Sequence, residues 1–323
     1  MKKIILLLIS ILLIGCASTI NTEDNKLTNG IIFIDGGEGG VYQPFLNRNY
    51  IVYVDNEIIL YNINSGEKKQ ITYDMSGKIY PKIIDNQIYW VDSRNNRNLG
   101  SQNTPTEVWV YDIDNETEEK KDLNIDEYLK EHLGSCDKNG KCPRRLCYEE
   151  SCVEIRKFSW TDPNITDKEE MGSLGNIESE GIFVNGNLIT KLKGIEEKDI
   201  FIWKNKILWA DNRNGVKNFD IFMYDIDTKT ETQITNTQEA SELDPAVYEN
   251  LVVFSKCYKE EVSLSGVKSK CEVVLLNINT DKEQIIFNMA GNNIQIEENK
   301  IVWEGWRRPS NSYRDSIIFL YII

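Results

Sequence analysis

A four-strand repeat constrains the fold of this chain more than any other feature of its sequence. The clearest copy holds four β-rich runs, at residues 199–203, 205–211, 220–227 and 231–234. Short polar turns separate the runs, and the asparagine of Lys204-Asn205 tolerates the positive φ of a tight hairpin. We therefore predict an antiparallel meander of four strands, which needs neighbouring copies of itself to bury its faces.

Further copies of this repeat occur along the chain. Its first half is an asparagine followed by alternating apolar residues and an aromatic residue, and it begins at Asn49, Asn86, Asn205, Asn250 and Asn299. These positions are 37, 119, 45 and 49 residues apart, so the long step contains one more, degenerate copy. Four-stranded units of this length are typical of β-propeller blades, and we predict six of them.

Residues 31–323 are therefore predicted to form one all-β domain, a six-bladed β-propeller. Only three strands are available for the last blade, and we expect residues 31–34 to supply the fourth and to close the ring. Residues 124–142 form a cysteine-rich insertion before blade three, which is the degenerate copy. The strands of that blade are predicted at residues 145–148, 152–158, 181–184 and 188–192.

Two segments carry a family resemblance, Trp209-Ala-Asp-Asn-Arg-Asn-Gly and Asp220-Ile-Phe-Met-Tyr-Asp. They resemble the WD40-like repeats of the TolB-type propeller family, and the resemblance extends more weakly over residues 41–323. TolB carries an α/β domain before its propeller. Because only residues 17–30 are available for such a domain here, the resemblance implies a TolB-like propeller that lacks it.

The first residues have the order of a bacterial export signal. Lys2-Lys3 precedes an apolar region of eleven residues, too short to span a hydrocarbon core of ~30 Å as a helix. The sequence Leu-Ile-Gly-Cys16-Ala-Ser then resembles a lipobox. We predict a lipoprotein signal peptide at residues 1–15, a lipidated Cys16 and a flexible tether over residues 16–30. The alternatives are an ordinary secretory signal and an uncleaved anchor.

The composition gives little support to catalysis. The single histidine, His132, excludes His-based triads and His-rich metal sites unless it acts alone. The sequence contains no Gly-x-Ser-x-Gly, His-Glu-x-x-His or nucleotide-binding loop. A net charge of −14 also argues against nucleic acid or anionic lipid as the main partner. We expect no cofactor, with Ca²⁺ as the alternative if carboxylates gather on one face.

Six cysteines follow the export signal: Cys136, Cys142, Cys147, Cys152, Cys257 and Cys271. An even number of cysteines in an exported chain indicates disulfides. Cys257 and Cys271 stand at opposing positions of one predicted hairpin, so we pair them. The other four allow three connectivities, of which we favour Cys147–Cys152, with the first two cysteines bonded within the insertion. Zinc is the alternative, although structural zinc sites favour more closely spaced pairs.

Charged residues gather where the second strand of each blade ends. They are Asp55, Asp92, Arg94, Asp162, Asp211, Arg213, Glu304, Arg307 and Arg308. By blade geometry they share one face of the ring with the insertion, where they could hold a cation, a sugar or a peptide. Alternatively, they satisfy turn backbones and pair between blades. The repeated Trp90, Trp209 and Trp303 are expected to pack between blades.

Trp306-Arg307-Arg308 is the strongest candidate for binding a partner. Trp306 has no counterpart in the other repeats, and aromatic residues and arginines are favoured at protein-binding hot spots. The weaker candidates on the same face are Asp92, Arg94, Asp211 and Arg213. We predict a non-catalytic, monomeric lipoprotein on the outer side of the cell membrane, or on the outer membrane, that binds an envelope protein or peptide. The alternatives are a carboxylate- and cation-dependent hydrolase or lyase, and a carbohydrate-binding module.

Overall fold

The computed structural model describes residues 30–36, 41–74, 76–94, 107–122, 146–148, 151–158, 179–192, 198–214, 218–258, 270–306 and 316–323. All regular elements within these ranges are β-strands, which confirms the all-β prediction. The residues outside them include the predicted export signal with Cys16, the predicted insertion with Cys136 and Cys142, and Asp162, Arg307 and Arg308. A search of the described ranges for a helix able to cross a membrane found none.

The described strands form six antiparallel sheets of four strands, and the first strand of the chain, β1 (Ile31–Asp35), belongs to the last of these sheets. Sheet one contains β2 (Tyr42–Asn47), β3 (Tyr50–Asp55), β4 (Glu57–Asn62) and β5 (Lys68–Gln70). Sheet two contains β6 (Lys78–Ile84), β7 (Gln87–Asp92), β8 (Glu107–Asp112) and β9 (Thr117–Lys121). Sheet three contains β10 (Leu146–Tyr148), β11 (Ser151–Phe158), β12 (Ser179–Val184) and β13 (Asn187–Leu192).

Three further sheets complete the described part of the chain. Sheet four contains β14 (Lys198–Trp203), β15 (Lys206–Asp211), β16 (Asp220–Asp225) and β17 (Thr230–Gln233). Sheet five contains β18 (Ala240–Tyr248), β19 (Leu251–Tyr258), β20 (Lys270–Asn277) and β21 (Lys282–Phe287). Sheet six contains β22 (Gly291–Glu297), β23 (Lys300–Trp306) and β24 (Ser316–Ile322), with β1 as its fourth strand.

The strands predicted from the repeat are confirmed, including those of the degenerate copy. The four strands of sheet three agree with the predicted ones to within two residues at each end. Val153 of β11 and Ile182 of β12 are fully buried, as expected for half-buried strands whose alternate side chains face the core.

In the five repeats that carry the asparagine, its carbonyl links the turn before the second strand to the residue after the third strand. The carbonyl of Asn205 accepts a hydrogen bond from the backbone N–H of Ile226, in the turn after β16, at 2.8 Å. The same bond joins Asn49 to Ile63, Asn86 to Ile113, Asn250 to Ile278 and Asn299 to Ile323. In the clearest copy the positive φ falls on Lys204 (50°) rather than on the predicted Asn205. The side-chain amide of Asn205 instead donates to Asp225 at 3.1 Å and to Asp227 at 2.8 Å.

Apolar side chains fill the spaces between neighbouring sheets. Trp90 packs in the cluster between sheets one and two, Trp209 between sheets three and four, and Trp303 between sheets five and six. All three indoles are at least 99% buried, which confirms the predicted packing. The first strands of successive sheets also lie side by side, in the order β10, β14, β18, β22, β2, β6.

The predicted pairing of the N-terminal strand with the last sheet is confirmed. Strand β1 pairs antiparallel with β24, and its Ile31 and Ile34 are 4% and 1% exposed. Sheets six and one are also joined through Gln295. Its Nε2 donates to the carbonyl of Pro44 at 2.6 Å, and its Oε1 accepts from the N–H of Leu46 at 2.9 Å. The first and last sheets therefore pack against each other.

Candidate functional site

In sheet two, the predicted site residues Asp92 and Arg94 bind each other. Asp92 ends β7 and is fully buried, and its Oδ2 lies 2.7 Å from Nη2 and 3.0 Å from Nε of Arg94. The guanidinium lies over the ring of Trp109, 3.8 Å from its centroid, and Nη1 contacts Glu118 of β9 at 2.5 Å. Burial would raise the pKa of Asp92, but hydrogen bonds from Arg94 and neighbouring groups hold that pKa below its ordinary value.

Sheet four repeats this arrangement with different residues. Oδ2 of Asp211 lies 2.6 Å from Nη2 of Arg213, and Asp211 is 3% exposed. The guanidinium of Arg213 lies 4.0 Å from the ring centroid of Phe222, and its Nη1 contacts Glu231 at 2.5 Å. In both sheets the arginine is therefore held by a buried aspartate, an aromatic ring and a glutamate of the fourth strand. Whether these four residues also bind a ligand stays a prediction.

Sheet six departs from this arrangement at the two positions that supply carboxylates to the arginine. Arg307 follows Trp303 by four residues, as Arg94 follows Trp90 and Arg213 follows Trp209. The aspartate position, two residues after the tryptophan, is Gly305. A Cβ on Gly305 would lie 2.8 Å from the ring of Phe319, so packing excludes a carboxylate there.

The glutamate is also replaced in sheet six, whereas the aromatic position keeps a phenylalanine, as in sheet four. The fourth-strand residue opposite Tyr321 is Ile31, where Glu118 and Glu231 stand opposite Tyr111 and Tyr224 in sheets two and four. The aromatic position is Phe319, whose ring packs against Phe33, Phe287 and Trp303 at centroid distances of 6.5, 4.7 and 5.5 Å. Sheet six thus has a cluster of aromatic rings where two other sheets have a cluster of charges.

Glu304 does not occupy the position at which the sequence analysis placed it. It follows Trp303 directly, whereas Asp92 and Asp211 stand two residues after their tryptophans. Because side chains alternate along a strand, Glu304 points to the other side of its sheet. Its Oε2 accepts from Nδ2 of Asn293 at 2.9 Å and from the N–H of Gln43 at 3.4 Å.

The first strands carry bulges that the sequence analysis missed. The pairing of β2, β6, β14, β18 and β22 with the following strand shifts near the start of each first strand. Positive φ, uncommon outside glycine, marks Gln43, Tyr80, Asp244 and Asn293 at these shifts, with φ of 55°, 57°, 52° and 50°. A polar residue before Pro44, Pro81 and Pro245 was the available signal in the sequence.

Buried charges join sheets one and two. The side chain of Lys78, two residues before the bulge of β6, is fully buried. Its Nζ lies 2.9 Å from Glu57 and 2.5 Å from Asp74, and 2.9 Å from Oγ of Ser76. A buried ammonium is tolerated only when carboxylates and other acceptors surround it.

Sheet five places a glutamate at the position of that lysine. Glu242 precedes the bulge of β18 by two residues and is fully buried against sheet four. Its Oε2 accepts from Thr235 at 3.2 Å, while Oε1 lies 3.9 Å from Nζ of Lys256 and accepts no hydrogen bond from a described residue. Burial, reinforced by the nearby charge of Asp220, raises the pKa of Glu242 to about 7.

Glu242 should make the stability of the domain depend on pH. The folded state holds this proton up to about pH 7, whereas the unfolded chain releases it near 4.5. Between these values the folded state binds more protons, so its stability falls as the pH rises, by on the order of 3 kcal/mol in total. Glu242→Gln should remove this fall in urea denaturation measured from pH 5 to 8.

The exposed Glu239→Gln provides the control for that experiment, because it removes a nearby carboxylate that is not buried. It should leave the pH dependence of the wild-type protein unchanged. A Glu242→Gln protein whose stability still falls by the wild-type amount would show that another group causes the pH dependence.

The cysteines of sheet five form the predicted disulfide. Cys257 and Cys271 are directly opposed in β19 and β20, and their sulfurs are bonded. In sheet three the backbone also places Cys147 opposite Cys152, as the favoured connectivity requires, and that disulfide stays a prediction. Within the described residues, no group of three or more His, Cys, Asp or Glu side chains is arranged to hold a metal ion.

No protein-family model and no curated protein matches this sequence. Solved structures do resemble the chain. The β-propeller domain of the Trilobed protease from Pyrococcus furiosus has a TM-score of 0.54 at 10% identity, over 89% of this chain and 94% of that one. This similarity shows that the chain has a β-propeller fold, and at such low identity it shows the fold alone.

Two further solved structures resemble the chain over part of their own length. TolB from Acinetobacter baumannii has a TM-score of 0.39 at 12% identity, over 91% of this chain and 66% of that one. The acylaminoacyl peptidase from Pyrococcus horikoshii has a TM-score of 0.42 at 13% identity, over 89% of this chain and 46% of that one.

Proposed function

We propose that this protein is a lipid-anchored, extracytoplasmic β-propeller of six blades that binds a protein or peptide of the cell envelope and catalyses no reaction. The six sheets are its blades, β1 closes the ring, and Cys16 carries the lipid on the cell membrane or outer membrane. The protein acts as a monomer without a cofactor. Trp306, Arg307 and Arg308 contact the partner.

The replacement of both carboxylate partners of the arginine in sheet six carries this proposal. Arg94 and Arg213 each form ion pairs with an aspartate and a glutamate of their own sheet, and these carboxylates neutralise the charge of the guanidinium. At the position of Arg307, the aspartate is replaced by Gly305, and the glutamate by Ile31. Because the two carboxylates that the repeat supplies to Arg94 and Arg213 are missing here, we infer that Arg307 binds a carboxylate that another molecule brings.

The chemistry of this position favours a protein or peptide as the partner. A guanidinium binds carboxylates in a bidentate geometry, and side-chain or terminal carboxylates are the groups that a peptide offers for it. Trp306 is the last residue of β23, opposite Ser316, and so lies beside this position in the chain. A tryptophan next to arginines supplies apolar area together with charge, the combination that is enriched at binding hot spots.

The joint replacement Trp306→Ala with Arg307→Ala should abolish capture of the partner from envelope extracts and leave the melting temperature unchanged. Losing two hot-spot side chains costs about 2 kcal/mol or more each, enough to lower affinity by a factor of 100 or more. Affinity capture with identification of the bound proteins by mass spectrometry, beside circular dichroism, measures both quantities.

Arg213→Ala is the matched control, since it removes an arginine at the same repeat position. It breaks the contacts with Asp211, Glu231 and Phe222, so it should lower the melting temperature and leave capture intact. Opposite results, with capture lost in Arg213→Ala and retained in the double variant, would move the binding site away from sheet six.

The lipid anchor has its own test. Cys16→Ala should prevent acylation, so the protein should leave the membrane fraction or keep its signal peptide, because an apolar region of eleven residues cannot replace two or three acyl chains. Fractionation, mobility and labelling with a palmitate analogue measure this outcome. A variant that fractionates, migrates and labels like the wild-type protein would rule out lipidation at Cys16.

A further inference from the structure

The contact between sheets four and five is built like the contact between sheets one and two. In both, a threonine follows the fourth strand, and its Oγ1 accepts a hydrogen bond from the backbone N–H of the second residue of the third strand. The donor and acceptor are Ile58 and Thr72 at 2.9 Å, and Ile221 and Thr235 at 2.8 Å. The first residue of that third strand is a buried acid in both sheets, Glu57 in sheet one and Asp220 in sheet four.

The two contacts differ in the charge that the next sheet brings to this acid. Between sheets one and two, the residue two positions before the bulge is Lys78, whose ammonium lies 2.9 Å from Glu57. Between sheets four and five, the same position is Glu242. Asp220 and Glu242 are both 0% exposed. A second buried carboxylate therefore stands where the first contact has a buried ammonium.

Neutral groups hold the two acids close together. Nε2 of Gln233 donates to Oδ2 of Asp220 at 3.2 Å and to the carbonyl of Thr235 at 2.8 Å. Oγ1 of Thr235 in turn donates to Oε2 of Glu242 at 3.2 Å. The backbone N–H of Glu242 also donates to the carbonyl of Phe219, the residue before Asp220, at 2.8 Å. Both carboxylates and two oxygens of Thr235 thus belong to one hydrogen-bonded group.

One buried oxygen of this group has no hydrogen-bond donor among the described residues. It is Oε1 of Glu242, and the ammonium of Lys256 lies 3.9 Å from it, beyond hydrogen-bonding distance. That ammonium lies closer to Glu283, at 3.3 Å. Lys256 therefore cannot neutralise both Glu242 and Asp220. Buried carboxylates cost stability unless cations and hydrogen bonds compensate them.

We infer that Asp220 and Glu242 bind a Ca²⁺ ion between sheets four and five, at the position that corresponds to the ammonium of Lys78. Two carboxylates match the charge of a divalent ion, and the hydroxyl and carbonyl of Thr235 are neutral oxygens of the kind that complete its coordination. Ca²⁺ takes six to eight oxygens, so water supplies the others. Only two ligands are acidic, which distinguishes the site from a group of three or more His, Cys, Asp or Glu side chains. The ion joins two sheets and takes part in no reaction.

Ca²⁺ alone tests the site. The full chain, freed of metal ions with a chelator at pH 8, should bind Ca²⁺ in isothermal titration calorimetry, and saturating Ca²⁺ should raise its melting temperature. K⁺ at the same ionic strength should do neither. Glu242→Gln should weaken Ca²⁺ binding by about tenfold or more and remove the shift in melting temperature, because the affinity of such sites depends on the number of charged ligands.

Three further variants make the result specific to this position. Glu239→Gln removes an exposed carboxylate nearby and should bind Ca²⁺ like the wild-type protein. Asp220→Asn should weaken Ca²⁺ binding, as Glu242→Gln does. Glu242→Lys supplies the ammonium that Lys78 provides in the other contact, so its melting temperature should not respond to Ca²⁺. Circular dichroism without Ca²⁺ establishes which variants are folded.

Absence of Ca²⁺ binding to the wild-type protein would overturn the inference without recourse to any variant. Equal Ca²⁺ binding by Glu242→Gln and the wild-type protein would also overturn it, because the ion would then lie elsewhere. Neither result depends on whether Trp306 and Arg307 capture a partner.

Discussion

Deleting residues 1–35 should leave a chain that melts far below the wild-type temperature or aggregates, whereas deleting residues 1–29 should leave the melting temperature unchanged. The longer deletion removes β1, and with it the buried side chains of Ile31 and Ile34. Each fully buried isoleucine contributes about 1.5–3 kcal/mol, so the loss is comparable with the 5–15 kcal/mol that stabilises a typical domain. It also exposes the edge of the apolar strand β24, a template for aggregation.

Both truncated chains lack the predicted export signal, so they can be compared after the same purification and oxidation. Thermal unfolding followed by circular dichroism, together with light scattering, measures the two expected effects. Ile34→Ala in the chain that begins at residue 30 gives an intermediate case and should cost about 2–5 kcal/mol. Coincident melting of the two truncations would show that β1 contributes nothing to the stability of sheet six.

Lys78→Met should destabilise the domain by about 3–5 kcal/mol, because it removes the ammonium 2.9 Å from the buried Glu57, while Asp74 keeps its ion pair with Arg94 at 2.9 Å. Methionine matches the length of the lysine stem, so most of the loss is electrostatic. Adding Glu57→Gln should restore part of the stability, since a neutral amide no longer needs the ammonium. Urea denaturation at pH 7 measures all three proteins.

Lys120→Met is the matched control for Lys78. Nζ of Lys120 lies 2.7 Å from Glu107, a distance similar to those around Lys78, but half of its side chain is exposed. Exposed ion pairs contribute about 0–1 kcal/mol, so this variant should be close to the wild type. Equal losses from both lysine variants would show that burial does not decide the strength of these pairs.

Most of the fold was predictable, because the repeat encodes it locally. Asparagine, alternating apolar residues and an aromatic residue recur in fixed order, and each has a local task in a turn or in the packing between sheets. The degenerate sheet three was found from its place between Asn86 and Asn205. Which residue of the Lys204-Asn205 turn takes the positive φ was not predictable from asparagine preference alone.

The chemistry of the candidate site was less predictable, because it depends on contacts between strands. Asp92 and Arg94 were recognised as a pair in the sequence, but the ring of Trp109 and the carboxylate of Glu118 join them only across β8 and β9. Glu304 was grouped with the aspartates by its distance from the strand end. Counting from Trp303 would have shown that it stands on the opposite side of the strand.

The pairing of β1 with β24 also sets the order in which the chain can fold. Ile31 is among the first residues of the domain to be synthesised, and its partner Tyr321 is among the last. Sheets one to five contain only strands that are consecutive in the chain, so each can form soon after its own residues emerge. Sheet six has to wait for the C-terminal residues, and its loop closure spans nearly the whole domain. Completion of sheet six is therefore a late, long-range step, because it requires both β1 and β24 to be present.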